Sequence, residues 1–454
     1  MNKSETLDQD TKPVSAKSDW QPNKLQKKDV KFATWIAFIA WVLAVYDFIL
    51  FGTLLPLMGN DYGWSEVEQA QTATWVAVGG AVVAFLIGPI VDRMGRKPGL
   101  IFTVGGAGLC SLLTAFGASA GKGPLTLIRS IAGLGYAEQT VNATYLTEMY
   151  SAVDDPELQK KKGFIYSLVQ GGWPIGALIA AGITAILLPI VGWQGNFIFA
   201  AIPSFILIFF AMKLKETPQF QVHKRIRELR EAGDEIAAKN LAVEHKVDYS
   251  EHKSAGVSAA FKGTSLRATL VLGGAILLNW FAIQIFSVLG TTVLTRVHGV
   301  SFENSLIILV ASNLLGYLGY MAHGWFGDKI GRRNTIAIGW VMGGLAFSAM
   351  LYGPSSQLAV IALYSLGLFF LIGPYAAALF FISESFPTSI RATAGAIINA
   401  MGPVGAVLAS FGSTAVLSSG GDWQTSALYF GAVPCFLSGL IILFARHVDP
   451  ATVK

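Results

Sequence analysis

Long apolar runs separated by short polar segments fill most of the sequence. A helix needs about 20 mostly apolar residues to cross the hydrocarbon core of a bilayer, and twelve runs of that kind can be counted. They cover residues 33–58, 70–91, 98–119, 125–149, 164–190, 196–213, 267–291, 304–326, 334–352, 357–383, 392–418 and 426–446. The pattern predicts an all-α membrane protein with twelve transmembrane helices.

The composition also indicates a membrane protein. Charged residues make up 13% of the chain, whereas about a quarter of a soluble protein is charged. The net charge of +5 does not indicate nucleic-acid binding, because the basic residues lie in short clusters between the apolar runs. Cys110 and Cys435 lie inside apolar runs, where we expect packing residues rather than a disulfide or a metal site.

The basic residues also predict which side of the membrane each loop faces. Lysine and arginine are enriched in cytoplasmic loops, and here they follow the even-numbered runs, while Lys122 and Arg296 are the exceptions. The basic residues after the even-numbered runs are Arg93, Arg96, Lys97, Lys160, Lys161, Lys162, Lys329, Arg332, Arg333 and Arg391. This asymmetry predicts a multi-pass protein of the plasma (inner) membrane with both termini in the cytoplasm.

The chain divides into two six-helix bundles. Residues 32–213 and 267–446 contain the apolar runs, and residues 214–266 form a charged stretch that predicts a cytosolic linker with amphipathic helices. Residues 1–31 and 447–454 are polar and predict cytosolic tails.

The two bundles repeat one motif. "GPIVDRMGRK" starts at Gly88 and "GWFGDKIGRR" starts at Gly324, 236 residues later. Glu148 in "TEMY" and Glu384 in "SESF" are separated by the same number of residues. Duplicated six-helix halves are a common transporter plan, in which the substrate site lies between the halves.

These repeated segments resemble the signature loop of the major facilitator superfamily. The resemblance implies two pseudo-symmetric six-helix halves that transport a solute by alternating access. It also implies that the loop closes the cytoplasmic side when the outside is open, while positive-inside anchoring alone is the alternative. The gating residues implied in this way are Asp92, Arg93, Arg96, Glu148, Asp328, Arg332, Glu384 and Arg391.

Three ionisable residues lie well inside predicted spans. Asp47 is in the first run, and Arg129 and Glu138 are in the fourth. An aspartate or arginine at the middle of a transmembrane helix costs about 2.5–3.5 kcal/mol, so each should face the bundle interior and have a partner. The family's first and fourth helices are neighbours, which predicts an Asp47–Arg129 pair.

The surrounding residues sharpen the resemblance. "YDFILFG" from Tyr46 and "RSIAGLGYAE" from Arg129 resemble proton-linked metabolite symporters, and "TYLTE" resembles the sialate and lactate proton symporters. The chain departs from the latter group at Ala44, where a second carboxylate is usual, and at Glu138, which lies one residue early.

The resemblance implies proton-coupled import of a small organic acid such as sialic acid or lactate. An aspartate that alternates between a dry site and an arginine can bind and release a proton, which makes Asp47 the candidate proton carrier. The alternative is a permanent Asp47–Arg129 salt bridge. Glu138 could be a carrier, a ligand or a structural partner.

Further polar and aromatic residues share helix faces and could contact a hydroxylated anion, although each could instead join helices. Together with Arg129, the candidate substrate-binding residues are Tyr46, Tyr166, Gln170, Trp173, Trp280, Gln284, Asn313, Tyr317, Tyr375 and Asn399. The glycine-rich "QGGWPIG" and "MGPVG" predict close helix packing.

Two alternatives remain on the same fold: a proton-coupled sugar or polyol importer, and a drug or metabolite efflux antiporter. A membrane enzyme or receptor is disfavoured, because the sequence contains no metal cluster, nucleophile motif or Walker loop. We therefore expect a monomeric transporter in the lipid bilayer that needs no cofactor, with a small molecule and protons as its partners.

Overall fold

The computed structural model describes residues 20–245, 260–386 and 391–446. The predicted C-terminal tail, most of the N-terminal tail and residues 246–259 of the predicted linker lie outside the described residues. Every regular element within the described ranges is helical.

The N-terminal half contains seven helices. They are α1 (Lys27–Asp61), α2 (Glu66–Met94), α3 (Arg96–Gly117), α4 (Lys122–Ile131), α5 (Leu134–Ala152), α6 (Pro156–Gln170) and α7 (Gly172–Ala211). The linker adds α8 (Pro218–Glu231) and α9 (Glu235–Glu244).

The C-terminal half begins at α10 (Gly263–Ala282), four residues earlier than predicted. It continues through a π-helical segment, Ile283–Val288, and then α11 (Gly290–His298), α12 (Phe302–Ile330), α13 (Arg332–Tyr352), α14 (Gln357–Ile372), α15 (Tyr375–Glu384), α16 (Arg391–Ser418), α17 (Trp423–Ala427), a second π-helical segment, Leu428–Ala432, and α18 (Val433–Ile442).

Ten helices in the described residues are long and apolar enough to cross a membrane. The difference from the twelve predicted runs has two causes. The fourth run is broken between α4 and α5, and the fifth and sixth runs meet within α7, whose backbone leaves helical geometry at Gly192 with φ of 67°. The twelve predicted spans are thus all helical.

A close backbone contact accompanies the break between α4 and α5. A methyl group on Gly133 would lie 2.5 Å from the Cα atom of Gly80 in α2. Glycine at both positions therefore lets α2 approach the backbone at the break.

The two halves touch at the end of the molecule opposite the repeated segments. Thr291 donates a hydrogen bond of 2.9 Å to the carbonyl oxygen of Thr53, and the hydroxyls of Thr74 and Thr414 are 3.0 Å apart. At the same end, Arg296 and Glu66 form an ion pair of 3.2 Å. The halves are therefore held together on that side of the bundle.

Candidate functional site

Asp47 and Arg129 form a buried ion pair at the centre of the N-terminal half. The two amino groups of the Arg129 guanidinium each donate to one carboxylate oxygen of Asp47, both at 3.2 Å. One of them also donates to the backbone oxygen of Asp47 at 3.1 Å, and the Ser111 hydroxyl donates to the carboxylate. The structure thus contains the predicted Asp47–Arg129 pair, and the two-pronged geometry fixes the guanidinium plane.

Two aromatic rings enclose the guanidinium. Its central carbon lies 5.3 Å from the ring centre of Phe51 and 5.4 Å from that of Phe197. Within the described residues, the Nε atom of Arg129 has no hydrogen-bond partner. Arg129 therefore keeps one N–H that a further acceptor could use.

A cavity of about 680 Å³ extends from Arg129 to the boundary between the halves. We name it the arginine cavity. The N-terminal half contributes Phe48, Phe51, Gly52, Ala73, Val76, Ala77, Gly80, Ala81, Arg129, Ala132, Gly133 and Tyr136, and the C-terminal half contributes Trp280, Gln284, Val288, Leu289, Pro403 and Ala406. A mostly apolar pocket with a few polar groups is typical of a small-molecule site.

A second cavity of about 610 Å³ lies nearer the repeated segments. We name it the amide cavity, because Gln139, Gln170 and Asn399 line it together with Tyr320 and Tyr375. Two of these residues are hydrogen-bonded, because Gln139 donates to Gln170 at 2.8 Å. Gln170 also donates to the hydroxyl of Tyr166, which is outside the lining, at 2.7 Å. Both cavities share Tyr136 and Trp280.

The predicted substrate residues divide between these cavities and the packed core. Arg129 and Gln284 line the arginine cavity, Trp280 lines both, and Gln170, Trp173, Tyr375 and Asn399 line the amide cavity. Tyr46, Tyr166, Asn313 and Tyr317 do not belong to either lining. Tyr46 is buried, and the Asn313 amide donates to the carbonyl oxygen of Leu309 on its own helix.

Sequence reasoning missed four of the polar and aromatic lining residues, namely Phe48, Phe51, Tyr136 and Gln139. A signal for Tyr136 was present, because it lies seven residues after Arg129 and two helical turns return a residue to the same face. Gln139 follows Tyr136 by three residues on that face. Helical periodicity, extended from Arg129 along the fourth predicted run, identifies both residues.

Glu138 lies close to these residues but differs from Asp47. It is fully buried, and neither of its carboxylate oxygens has a hydrogen-bond partner in the part of the chain that the structure describes. Asp47, by contrast, has bonds from both Arg129 and Ser111. A buried carboxylate without a partner is stable only when it is neutral.

The two repeated segments, which we name the signature segments (residues 88–97 and 324–333), make the same ion pair in each half. Arg96 binds Glu148 at 3.1 Å, and Arg332 binds Glu384 at 2.8 Å. Each arginine also pairs with the aspartate four residues earlier, Asp92 at 2.5 Å and Asp328 at 3.5 Å.

All these pairs join groups of the same half. Arg93, also predicted to act in gating, is exposed. Arg391 begins α16, and its side chain lies outside the described residues.

In the described structure, the linker contacts only the first signature segment, residues 88–97. Glu216 accepts hydrogen bonds from the backbone N–H groups of Lys97 and Thr217, at 3.1 Å and 2.8 Å. The Thr217 hydroxyl donates to Glu148 at 2.5 Å. Burial raises the pKa of Glu216 above its ordinary value, although the backbone hydrogen bonds oppose this shift.

The chain belongs to the Major Facilitator Superfamily, whose model matches residues 36–373 and 272–454. Membership makes it a multi-pass membrane transporter, not an enzyme, with twelve helices in two halves. The fold and family predicted from the signature segments are thereby confirmed.

Known proteins resemble the chain over nearly its whole length. It is 23% identical over 441 residues to the niacin transporter NiaP of Acinetobacter baylyi, covering 92% of this chain and 94% of that protein. It is 24% identical over 457 residues to the gallate transporter of Pseudomonas putida, covering 96% of each. The inward-open structure of the xylose transporter XylE from E. coli matches with a TM-score of 0.67 and 16% identity, over 93% of this chain and 98% of that one. This structural likeness shows the fold.

Proposed function

We propose that the protein is a proton-coupled importer of small carboxylates and that aromatic acids are its favoured substrates. The observation that carries the proposal is Arg129, a buried guanidinium that lines a mostly apolar cavity between the halves. A guanidinium stays charged and can bind a carboxylate through parallel hydrogen bonds. Niacin and gallate, named for two relatives, are aromatic acids. The relatives lend no support to sialic acid or lactate in particular.

Asp47 links carboxylate binding to proton binding. In the empty site it holds Arg129 through two hydrogen bonds of 3.2 Å. A substrate carboxylate competes for the same guanidinium, and an Asp47 that loses this partner in a buried site takes up a proton. One anion then moves with one proton, and the cycle is electroneutral. Glu138, whose carboxylate has no hydrogen-bond partner among the described residues, is the second candidate for proton coupling.

The sidedness and the gate belong to the same proposal. Cytoplasmic termini in a plasma (inner) membrane would place the signature segments and the amide cavity on the cytoplasmic side. The contacts between halves at the opposite end would then close the outer side. In the outward-facing state, Asp92, Arg96, Asp328 and Arg332 would close the cytoplasmic end in turn. We propose that the protein works as a monomer.

Uptake into proteoliposomes tests the function. We expect an inward proton gradient to drive accumulation of nicotinate but not of its neutral amide, nicotinamide. Because the cycle is electroneutral, an imposed membrane potential of either sign should change nicotinate accumulation little. Protein-free vesicles and vesicles with Arg129→Gln measure passive entry of the neutral acid, which is subtracted.

Two results would contradict the proposal. Equal accumulation of the amide would make Arg129 structural and favour an uncharged substrate such as a sugar or polyol. Nicotinate release from loaded vesicles that is driven by an inward proton gradient, in place of uptake, would favour the efflux antiporter.

A further inference from the structure

Four aromatic side chains form a closed circuit between the two cavities. The ring centres of Phe48 and Tyr136 are 5.9 Å apart, and those of Tyr136 and Trp280 are 5.3 Å apart. Trp280 and Trp173 are 5.7 Å apart, and Trp173 and Phe48 are 6.0 Å apart. Each ring thus contacts two others. We name these four residues the ring cluster.

The ring cluster lies where the two cavities adjoin. Phe48 lines only the arginine cavity, Trp173 lines only the amide cavity, and Tyr136 and Trp280 line both. Tyr136 and Trp280 meet edge to face, with an angle of 86° between their planes. The Tyr136–Trp280 contact is therefore formed by the two rings that line both cavities.

The cluster also spans the boundary between the halves. Three of its rings belong to the N-terminal half, and Trp280 belongs to the C-terminal half. A methyl group on Gly402 would lie 2.8 Å from the indole of Trp280, and one on Gly172 would lie 2.9 Å from Trp41, which packs against Trp173. The glycines of the two motifs thus allow Trp280, and Trp41 beside Trp173, to pack closely within their own halves. A movement of one half relative to the other would therefore separate Trp280 from the other three rings.

We propose that the ring cluster is the subsite for the substrate's aromatic ring and that a bound flat ring replaces the contact between Tyr136 and Trp280. This inference rests on the proposed function, because Arg129 must hold the carboxylate. Tyr136 follows Arg129 by seven residues across the break between α4 and α5, and both residues line the arginine cavity. A benzoate-like acid whose carboxylate is held by Arg129 can therefore place its ring at the Tyr136 end of that cavity.

The replacement explains how the site would select aromatic acids. A flat ring between Tyr136 and Trp280 makes face or edge contacts with both, and such contacts prefer the electron distribution of an aromatic ring. A saturated ring is thicker and lacks that distribution. We expect each aromatic contact to change affinity by roughly two- to tenfold. Insertion of the substrate ring would also connect the two cavities and weaken the contacts of the ring cluster between the two halves.

Binding calorimetry on the purified full-length protein tests the inference with three probes: benzoate, cyclohexanecarboxylate and benzamide. The first two share the carboxylate and differ in the ring, while the third keeps the ring and lacks the charge. The variants are Trp280→Phe, which keeps a ring, and Trp280→Leu, which removes it. Trp35→Leu is the matched control, because Trp35 is an exposed tryptophan on α1, outside both cavity linings and outside the signature segments.

We expect the wild type to bind benzoate at least about fivefold more tightly than cyclohexanecarboxylate, from one or two aromatic contacts. The ratio of the benzoate affinity to the cyclohexanecarboxylate affinity should fall toward one in Trp280→Leu and persist in Trp280→Phe and Trp35→Leu. If Trp280→Leu does not fold, as judged by its thermal transition in detergent, Tyr136→Leu makes the same test from the other half.

The outcomes separate this inference from the proposed function. Equal binding of the two acids with no binding of benzamide would overturn the ring subsite and leave the carboxylate transporter standing. An unchanged ratio in Trp280→Leu would also overturn it. Equal binding of benzoate and benzamide would overturn the role of Arg129, and failure to bind either acid would overturn both proposals.

Discussion

The two halves of the protein share a signature segment but differ in their cores. Arg96–Glu148 and Arg332–Glu384 are the same ion pair, repeated 236 residues apart. In the described structure, the buried members of the Asp, Glu, Lys and Arg class all belong to the N-terminal half: Asp47, Arg129, Glu138 and Glu148.

The C-terminal half lines the cavities with one indole, two phenols and two amides instead. The two halves thus repeat the ion pair of the signature segments, while their interiors carry different chemistry. In the proposed function, the N-terminal half binds the substrate carboxylate and the proton. The C-terminal half closes the site with neutral groups.

The largest effect should follow from breaking the charged pair. Arg129→Gln leaves Asp47 buried without its cation, which costs about 3–5 kcal/mol of folding stability. Asn279→Ala in the C-terminal core, which removes the acceptor of a 2.8 Å hydrogen bond from Tyr375, should cost about 1–3 kcal/mol. Thermal unfolding in detergent compares the two.

The double variant Asp47→Asn with Arg129→Gln provides the control. It removes both charges, so it should recover most of the lost stability while nicotinate binding stays absent. A double variant as unstable as Arg129→Gln would show that the pair does not account for the loss. Restored nicotinate binding would show that Arg129 does not hold the substrate.

Coupling should also depend on the N-terminal half. Asp47→Asn should abolish accumulation driven by a proton gradient but leave exchange of nicotinate between loaded compartments, because exchange requires no titrating group. Radiolabelled counterflow and gradient-driven uptake measure the two activities. If Asp47→Asn still concentrates nicotinate, Asp47 is not the carrier, and Glu138→Gln must then abolish accumulation.

The sequence predicted the fold and the charged pair well, and the neutral part of the site less well. A charge inside an apolar run is costly, so Asp47 and Arg129 had to meet, and they do. Aromatic and amide residues carry no such penalty. Asn313 and Gln284 looked alike as candidates, yet only Gln284 lines a cavity.

Backbone geometry explains the remaining differences between the predicted site residues and the observed cavity linings. The π-helical segment Ile283–Val288, which contains Gln284, and the break beside Gly133 redirect side chains without leaving a mark in the hydrophobic pattern. The pattern finds runs of apolar residues, but it does not show where a helix changes pitch inside a run.

Glycines at close helix contacts within the two glycine-rich motifs should show intermediate effects of similar size in both halves. A methyl group on Gly405 would lie 2.2 Å from the carbonyl oxygen of Leu277, and one on Gly176 would lie 2.6 Å from that of Val42. Alanine at either position forces the helices apart, which we expect to cost about 1–3 kcal/mol.

Gly395→Ala is the matched control, because no described atom outside the adjacent turns of its own helix lies within 4 Å of the position its methyl group would take. Chemical unfolding of the three variants compares their stability. A loss in Gly395→Ala as large as that in Gly405→Ala would contradict the packing explanation.

The smallest effect should come from the signature segments, which occur in both halves. Asp92 and Asp328 have side chains 69% and 70% exposed, so each pair with its arginine contributes about 0–1 kcal/mol in this conformation. On the proposed gate, they close the signature-segment end in the outward-facing state. Asp92→Asn and Asp328→Asn should therefore shift the population toward the conformation described here, by up to roughly fivefold.

Maleimide labelling of a reporter cysteine at Ala378, which lines the amide cavity, measures this shift. Cys110 and Cys435 are buried, so they contribute little background. Labelling should be faster in both variants and unchanged in Asp154→Asn, a control at an exposed carboxylate outside the signature segments.

Because the signature segments make the same ion pair in both halves, the two variants should respond alike. A response in only one half would mean that the gate, like the core, has diverged since the duplication, and unchanged labelling in both would remove these aspartates from the gate.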